Sequence, residues 1–318
     1  MITFNQERFI GQAIESVLMQ ITDFDFELVV SDDGSTDRTP EIIRSLQDRF
    51  PKMVRSHLRD RNVGLVRNLT ETLEACDGEY VALLEGDDYW IAAHKLQAQV
   101  DFLDRHPECV ACFHNAQVVD DAGAVTEFYN RRDAKPALTL EDVLDSNYIA
   151  TCSVMYRAHV LATIPPWFHT LEWGDWPLHI IAAQHGRIGY LEEPMAAYRV
   201  HPGGAWSRLS ASERLEKLIG FYARIDAALA FEHHPRIGRR LLTLYEKLTA
   251  EYENTGRRGK VTSAALRALW ISRTLRAPST VWAWKALLRP WTRWIPSPAR
   301  RFVRAAAGAR RSLHRPRR

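Results

Sequence analysis

The chain has 318 residues, of which 46% are hydrophobic and 25% charged, with four cysteines and a formal net charge of +3. This length suits one large domain with an appendage, and four cysteines in such a chain exclude a small disulfide framework. No run reaches the 18 or so apolar residues of a membrane-spanning helix, and no signal peptide is visible.

Charge is unevenly distributed. Residues 254–318 contain 17 Lys or Arg and no Asp or Glu. Residues 1–253 contain the other 25 basic residues and all 39 acidic ones, which gives them a formal charge of −14. An acidic body therefore carries a basic tail.

Up to residue 105, apolar runs alternate with amphipathic segments. This order predicts an α/β fold with a mostly parallel sheet flanked by helices. Because residues 1–5 look like the end of a strand, the first strand is expected to be truncated. Further strands are predicted at 26–30, 54–58 and 80–84, and helices at 7–20, 39–50, 65–76 and 91–105.

The alternation of apolar runs and amphipathic segments ends at about Pro107. Cys109 and Cys112 form a C-x-x-C pattern, but this stretch has the character of a buried strand, and the cysteine usage fits a reducing compartment. Strands are predicted at 109–119, 152–156 and 189–191, a helix at 178–184, a loop at 198–206, and helices from 210 to about 253.

Two acidic clusters, Ser31–Asp37 and Glu85–Trp90, each follow a predicted buried strand. The carboxyl ends of parallel strands meet at one edge of a sheet, where ligands bind. Converging carboxylates are costly unless a cation holds them together. The two clusters therefore predict a metal-dependent site.

Individual residues near these clusters allow two interpretations each. Asp33 can accept a hydrogen bond from a base N–H, or it can form an Asx-turn or a helix cap. Asn62 and Arg67 flank a helix start that suits an anion, or they are a cap and a surface arginine.

Three later tryptophans, Trp173, Trp176 and Trp206, can stack on sugar rings of an acceptor. Asp175 lies between the first two, and a carboxylate beside aromatic surface has a raised proton affinity that suits a general base. It can equally cap the following helix. His201, in a glycine-rich loop, can bind metal or diphosphate or be structural.

Six motifs follow one another along the chain: Thr3-Phe4-Asn5, Asp32-Asp33-Gly34-Ser35-Thr36-Asp37, Asn62-x-Gly64-x-x-x-Asn68, Glu85-Gly86-Asp87-Asp88-Tyr89-Trp90, Gly174-Asp175 and Tyr198-Arg199-x-His201. In this order and spacing they resemble family 2 glycosyltransferases of the GT-A fold, over roughly residues 1–207. One departure is Glu85, where many members have Asp.

The resemblance implies an inverting transferase that moves a sugar from a nucleotide-diphosphate sugar to a hydroxyl of a glycan or lipid-linked acceptor. The expected donor is a UDP-sugar and the expected cofactor Mg²⁺ or Mn²⁺. An inverting single displacement needs one base and one cation, whereas a glycosidase needs two facing carboxylates.

The resemblance also implies a role for each site residue. Asp175 would be the catalytic base. Asp87, Asp88 and His201 would approach the metal, with Asp87 or its neighbour also near the ribose. The donor would be bound by Thr3, Phe4, Asn5, Asp33, Asn62, Arg67, Glu85 and Asp87.

Three segments are predicted: a catalytic domain at 1–209, a helical extension at 210–255, and a basic, Trp-rich tail at 256–318. Trp with basic residues is typical of a membrane interface, so the tail is expected to contact anionic membrane rather than nucleic acid. This predicts a cytoplasmic protein, peripheral on the inner face of the cell membrane. The alternative is a catalytically impaired, membrane-associated protein that binds nucleotide-sugar or glycan.

Overall fold

The computed structural model describes residues 1–130, 134–275, 283 and 287. The tail tryptophans Trp282, Trp284, Trp291 and Trp294 lie outside the described residues. The chain divides into two compact units, Met1–Arg208 and Leu209–Arg318, which are treated separately below.

The first unit contains ten strands and six α-helices in its described part. The strands are β1 Ile2–Thr3, β2 Leu28–Asp32, β3 Val54–Leu58, β4 Tyr80–Ala82, β5 Tyr89–Trp90, β6 Cys109–Val119, β7 Val125–Phe128, β8 Ala137–Leu138, β9 Val154–Arg157 and β10 Arg187–Arg199. The helices are α1 Ile10–Leu18, α2 Thr39–Arg49, α3 Leu65–Glu74, α4 Lys95–Arg105, α5 Leu140–Asp145 and α6 Asp175–Ala183.

The strands form two sheets. The first is parallel, in the order β1-β2-β3. The second has seven strands in the order β4-β9-β6-β10-β5, with β7 on β6 and β8 on β10. It is mixed, because β10 runs parallel to β6 but antiparallel to β5. The α/β class is confirmed, and the parallel arrangement is a property of the first sheet.

The two-residue strand β1 lies between the two acidic clusters. Asp33 N donates to Thr3 O at 3.0 Å, and Gly86 N donates to Ile2 O at 3.0 Å. Ile2 also forms a parallel bridge with Glu85. The clusters therefore meet on either side of one short strand, as predicted, but β2 and β4 belong to different sheets rather than to one.

The apolar face of α1 anchors this region. Ile10, Ile14 and Val17 recur at helical spacing and are buried in the same core cluster as Val30 and Trp90. Burial of such side chains contributes about 1.5–3 kcal/mol each. The core thereby fixes the strand ends that carry both clusters.

Strand β10 is much longer than the predicted 189–191. It spans 13 residues and includes Tyr198 and Arg199, which were expected in a loop. The pairing register with β6 shifts between Leu191 and Pro194. Two glutamates and this proline interrupt the apolar pattern at that irregularity, which is why the pattern alone gives a short strand.

The second unit contains three helices in its described part: α7 Ala211–Ala228, α8 His234–Asn254 and α9 Arg258–Thr274. Ser210 and Glu213 form a capping box at the start of α7. Helix α9 packs against α8, so the first part of the predicted tail is folded. Among the residues described, no helix has both the length and the apolar character to cross a membrane.

Candidate active site at the two acidic turns

The carboxylates of the first turn accept hydrogen bonds from the backbone. Asp33 Oδ1 accepts from Val63 N at 2.8 Å, and its Oδ2 accepts from Gly64 N at 3.0 Å. Asp32 Oδ2 accepts from Ser35 N at 3.0 Å. Asp33 therefore holds the loop that carries Asn62, and its contact with a nucleotide base stays a prediction.

Gly34 makes this close approach possible. Its φ is +73°, in the left-handed region, and a Cβ there would lie 2.5 Å from the carbonyl carbon of Arg61. A side chain would push the 61–64 loop away from the turn.

The segment Thr3–Asn5 meets the first turn. Asn5, at φ +53°, accepts from Thr36 N at 2.8 Å through Oδ1, and its own N donates to Ser35 Oγ at 2.7 Å. Thr3 is buried, whereas Phe4 is 45% exposed. The three residues predicted to bind the nucleotide-sugar donor thus lie beside Asp33, and the ring of Phe4 is accessible to a ligand.

Asn62 and Arg67 lie at the exposed start of α3. Asn62 Oδ1 accepts from Gly64 N at 3.1 Å, which closes a turn before the helix, and α3 has no side-chain cap. Arg67 Nε donates to Glu71 Oε1 at 2.6 Å, one helical turn away. Arg67 is thus a surface arginine, as the simpler interpretation had it, whereas Asn62 stabilises a turn and does not cap α3. The contacts of both residues with the sugar donor stay predictions.

The second turn concentrates negative charge. Burial and the charges of Asp87, Asp88 and Asp175 raise the pKa of Glu85 well above its usual value. Burial and the charge of Asp87 likewise raise the pKa of Asp88. Gly86 permits close packing, since a Cβ there would lie 2.7 Å from Thr3 Oγ1. The carboxylates are therefore crowded, as a cation site requires.

Asp87 meets His201 across 114 positions of sequence. His201 Nε2 lies 3.1 Å from Asp87 Oδ2, and both side chains are largely buried, at 11% and 17% exposed. The ring of His201 packs on Phe9 with 5.0 Å between ring centroids. Two residues predicted to approach the metal are thus in contact.

Asp88 has a different environment. It is buried, and its Oδ1 accepts from Arg199 N at 2.7 Å. Within the described residues, its Oδ2 has no hydrogen-bond partner. Asp88 ties the second turn to the end of β10, and its role as a metal ligand stays a prediction.

The residue that organises this turn is Arg199, which the site prediction did not include. Its Nε donates to Asp87 O at 2.9 Å, and one terminal nitrogen donates to Gln12 Oε1 at 2.8 Å. The guanidinium also lies over the rings of Phe9 and Tyr89. The sequence signal for Arg199 was its position in the Tyr198-Arg199-x-His201 motif. A buried arginine needs several hydrogen-bond acceptors, so its contacts with the second turn follow from its burial.

Asp175 begins helix α6, three residues earlier than predicted. Its Oδ2 accepts from Asn147 Nδ2 at 3.2 Å, a partner that the sequence did not suggest. Burial raises the pKa of Asp175, while hydrogen bonds from the Trp176 backbone and Asn147 act in the opposite direction. Asp175 and Glu85 line one cavity, together with Leu69 and Trp173. Asp175, the predicted base, and Glu85 of the second turn therefore line the same cavity.

The three tryptophans separate into two groups. Trp173 and Trp206 pack edge to face, with ring centroids 5.8 Å apart, and Trp206 is 38% exposed. Trp176 is buried, and its Nε1 donates to Val143 O at 2.8 Å. Trp176 is thus a core residue, which corrects its predicted contact with an acceptor.

No group of three or more His, Cys, Asp or Glu side chains with the geometry of a metal site occurs among the described residues. The pair Asp87–His201 offers one oxygen and one nitrogen ligand. Such a pair fits Mg²⁺ or Mn²⁺ only if another molecule supplies further oxygens, as a diphosphate does.

Two solved structures of glycosyltransferases share this architecture, and the expected GT-A fold is confirmed. Staphylococcus aureus TarS 1-349 in complex with UDP-GlcNAc gives a TM-score of 0.54 at 18% identity, covering 78% of this chain and 80% of that one. The mannosyltransferase PcManGT from Pyrobaculum calidifontis, in complex with GDP-Man and Mn²⁺, gives 0.55 at 18% identity, covering 95% and 82%.

Sequence comparison agrees. The family model described as glycosyl transferase family 2 matches residues 1–164. An uncharacterized protein of Mycobacterium tuberculosis is 37% identical over 243 residues, which are 74% of this chain and 68% of that protein. The chain belongs to glycosyl transferase family 2.

Proposed function

We propose that this protein is an inverting, metal-dependent glycosyltransferase that adds a sugar from a nucleotide-diphosphate sugar to a hydroxyl of a cell-surface glycan or its lipid-linked precursor. The observation that carries the proposal is the contact between Asp87 and His201. It places a carboxylate and an imidazole together at a turn whose other carboxylates have raised pKa values.

The donor would lie across strand β1. On one side, Asp33 and Asn5 define the first turn, and the exposed ring of Phe4 is available to a nucleobase. On the other side, Glu85 and Asp87 would lie near the ribose and the diphosphate. Neighbours with this fold are described with UDP-GlcNAc and with GDP-Man, which supports a nucleotide-sugar donor. We propose a UDP-sugar.

Asp87 and His201 would hold the cation. Asp88 would be a further ligand of the cation or would hold the second turn that carries Asp87. When bound, Mg²⁺ or Mn²⁺ neutralises charge on the departing nucleoside diphosphate. Arg199 would fix the position of Asp87 through the hydrogen bond to its carbonyl oxygen. Binding without a cation would leave the crowded carboxylates facing the diphosphate charge.

Asp175 would act as the general base. Its raised pKa makes it a stronger proton acceptor than an ordinary aspartate. It would remove the proton from the acceptor hydroxyl as that oxygen bonds to the anomeric carbon. The bond from this carbon to the diphosphate oxygen breaks on the opposite face, which inverts the anomeric configuration. Asn147 would hold the carboxylate in place.

The acceptor would approach beside Trp173 and Trp206. Trp173 lines the same cavity as Asp175, and Trp206 packs edge to face on Trp173. Aromatic faces stack well on sugar rings, which suits a glycan acceptor.

The proposal is tested by screening UDP- and GDP-sugars for nucleotide release in the presence of Mn²⁺. We expect release from at least one donor, loss of release with a chelator, and loss in Asp175→Asn with donor binding retained. General bases contribute about 10²- to 10⁴-fold, which sets the expected loss. Binding of no nucleotide diphosphate with Mn²⁺ would overturn the proposal, and binding without turnover would favour the catalytically impaired alternative.

A further inference from the structure

Helix α9 of the second unit has two contrasting faces. One face, formed by Val261, Ala264, Ala265, Ala268 and Ile271, is buried. The opposite face exposes Leu266 and Trp270, which are 55% and 67% exposed. They are four residues apart and therefore neighbours on one side of the helix. Two large apolar side chains thus lie together in water on a helix that is already packed.

The charges on this helix all have one sign. Its sequence contains Arg258, Lys260, Arg267 and Arg273 and no acidic residue. Lys260 Nζ lies 2.9 Å from Glu216 Oε1, which offsets its charge. Arg267 and Arg273 are exposed, and they lie three residues before and three residues after Trp270. The exposed apolar pair is therefore bordered by cationic side chains.

The surrounding sequence has the same character. All 17 charged residues between 254 and 318 are Lys or Arg. A partner that complements this segment must be anionic, and one that covers Leu266 and Trp270 must also offer an apolar phase. Nucleic acid offers the charge and can stack on tryptophan, but it has no apolar phase for an aliphatic side chain. An anionic bilayer surface offers both.

We propose that the Leu266–Trp270 face of α9 docks on an anionic lipid surface, with the basic residues around it making the electrostatic contact. Each basic residue near an anionic surface adds about 1 kcal/mol of attraction, which is screened by salt. Trp270 and Leu266 supply the apolar part, lying at the level of the lipid headgroups. The contact does not depend on the catalytic residues of the first unit.

The test is flotation of the full chain with vesicles of phosphatidylcholine mixed with phosphatidylglycerol, compared with phosphatidylcholine alone. We expect binding to the mixed vesicles, about tenfold or more above the neutral ones, with a decrease at high salt. The double variant Leu266→Ser with Trp270→Ser should lose about tenfold or more of this affinity. Both side chains are exposed, so the variant should fold normally.

Phe231→Ser is the matched control, because Phe231 is also a strongly exposed aromatic residue of the same unit, at 59%, but lies outside α9. It should bind vesicles as the wild type does. Equal vesicle binding by the double variant, or no preference for anionic vesicles, would overturn the proposal. So would salt-sensitive binding to duplex DNA without vesicle binding. Nucleotide release from a soluble donor, measured in parallel, should be unchanged in the double variant.

Discussion

The two acidic turns have similar compositions and different surroundings. In the first, Asp32 and Asp33 accept hydrogen bonds from backbone N–H groups of their own turn and of the 61–64 loop. In the second, burial and mutual repulsion raise the pKa values of Glu85 and Asp88. Carboxylates satisfied by backbone donors build structure, as Asp88 also does through Arg199 N. A crowded carboxylate that binds no backbone N–H of the described residues, such as Asp87, remains available to a cation.

Among the substitutions that test this difference between the two turns, Asp87→Asn should have the largest effect, which is on nucleotide release. Removing the charge should lower nucleotide release by roughly 10²- to 10³-fold, because the cation loses a ligand. The free energy of unfolding should stay within about 0.5 kcal/mol of wild type or rise, because a repulsive charge is removed. Release assays and chemical denaturation check the two parts. A large loss of stability would show that Asp87 is structural.

Arg199→Lys tests the support beneath the second turn. Lysine keeps the charge but lacks the planar set of donors that reaches Asp87 O and Gln12 together. The Mn²⁺ concentration for half-maximal release should rise by roughly 10- to 100-fold, as for other residues that orient a metal ligand.

Arg8→Lys is the control for this variant, because Arg8 forms an exposed ion pair with Asp121 at 2.8 Å. It should leave the Mn²⁺ dependence unchanged. Equal behaviour of the two variants would contradict a positioning role for Arg199.

Asp33→Ala tests the first turn. The N–H group of Val63 would lose its acceptor and that of Gly64 would keep only Asn62 Oδ1. We expect the free energy of unfolding to fall by roughly 1–3 kcal/mol. The measurement is urea denaturation of the variant beside Asp87→Asn. An unchanged free energy of unfolding would mean that the first turn is held by something other than the carboxylate of Asp33.

The smallest effect is expected at Lys95, which is buried beside the second turn's Trp90. Its Nζ lies 3.8 Å from the centre of that ring and has no hydrogen-bond partner in the described parts of the chain. Burial lowers the pKa of Lys95 from 10.5 to about 7. The unfolded chain therefore binds more protons between about pH 7 and 10.5, and wild-type stability should rise with pH across this window.

Lys95→Met removes this dependence and should raise the free energy of unfolding by roughly 1 kcal/mol near pH 7, since the cation–π contact offsets part of the burial cost. Denaturation at about pH 7 and pH 9 measures both effects. A variant less stable than wild type, or one with the same pH dependence, would contradict this interpretation. The Mn²⁺ dependence of release should not change.

The alternation of strands and helices, the α/β class and the meeting of the two turns were predictable from local patterns, because apolar runs and turn residues report local structure. The length of β10 was not, since Pro194 interrupts its pattern while long-range pairing with β6 restores the strand. The contacts of Arg199 with the second turn and of Asn147 with Asp175 were also hidden. Each joins residues at least 28 positions apart, and no local pattern encodes such a distance.

The most direct test of the metal-dependent second turn is calorimetric binding of UDP or GDP, whichever the wild type binds more tightly, with and without Mn²⁺. We predict that Mn²⁺ tightens binding to the wild type and has no effect on Asp87→Asn, which should keep the weak, metal-independent affinity. Equal enhancement by Mn²⁺ in both proteins would contradict the account.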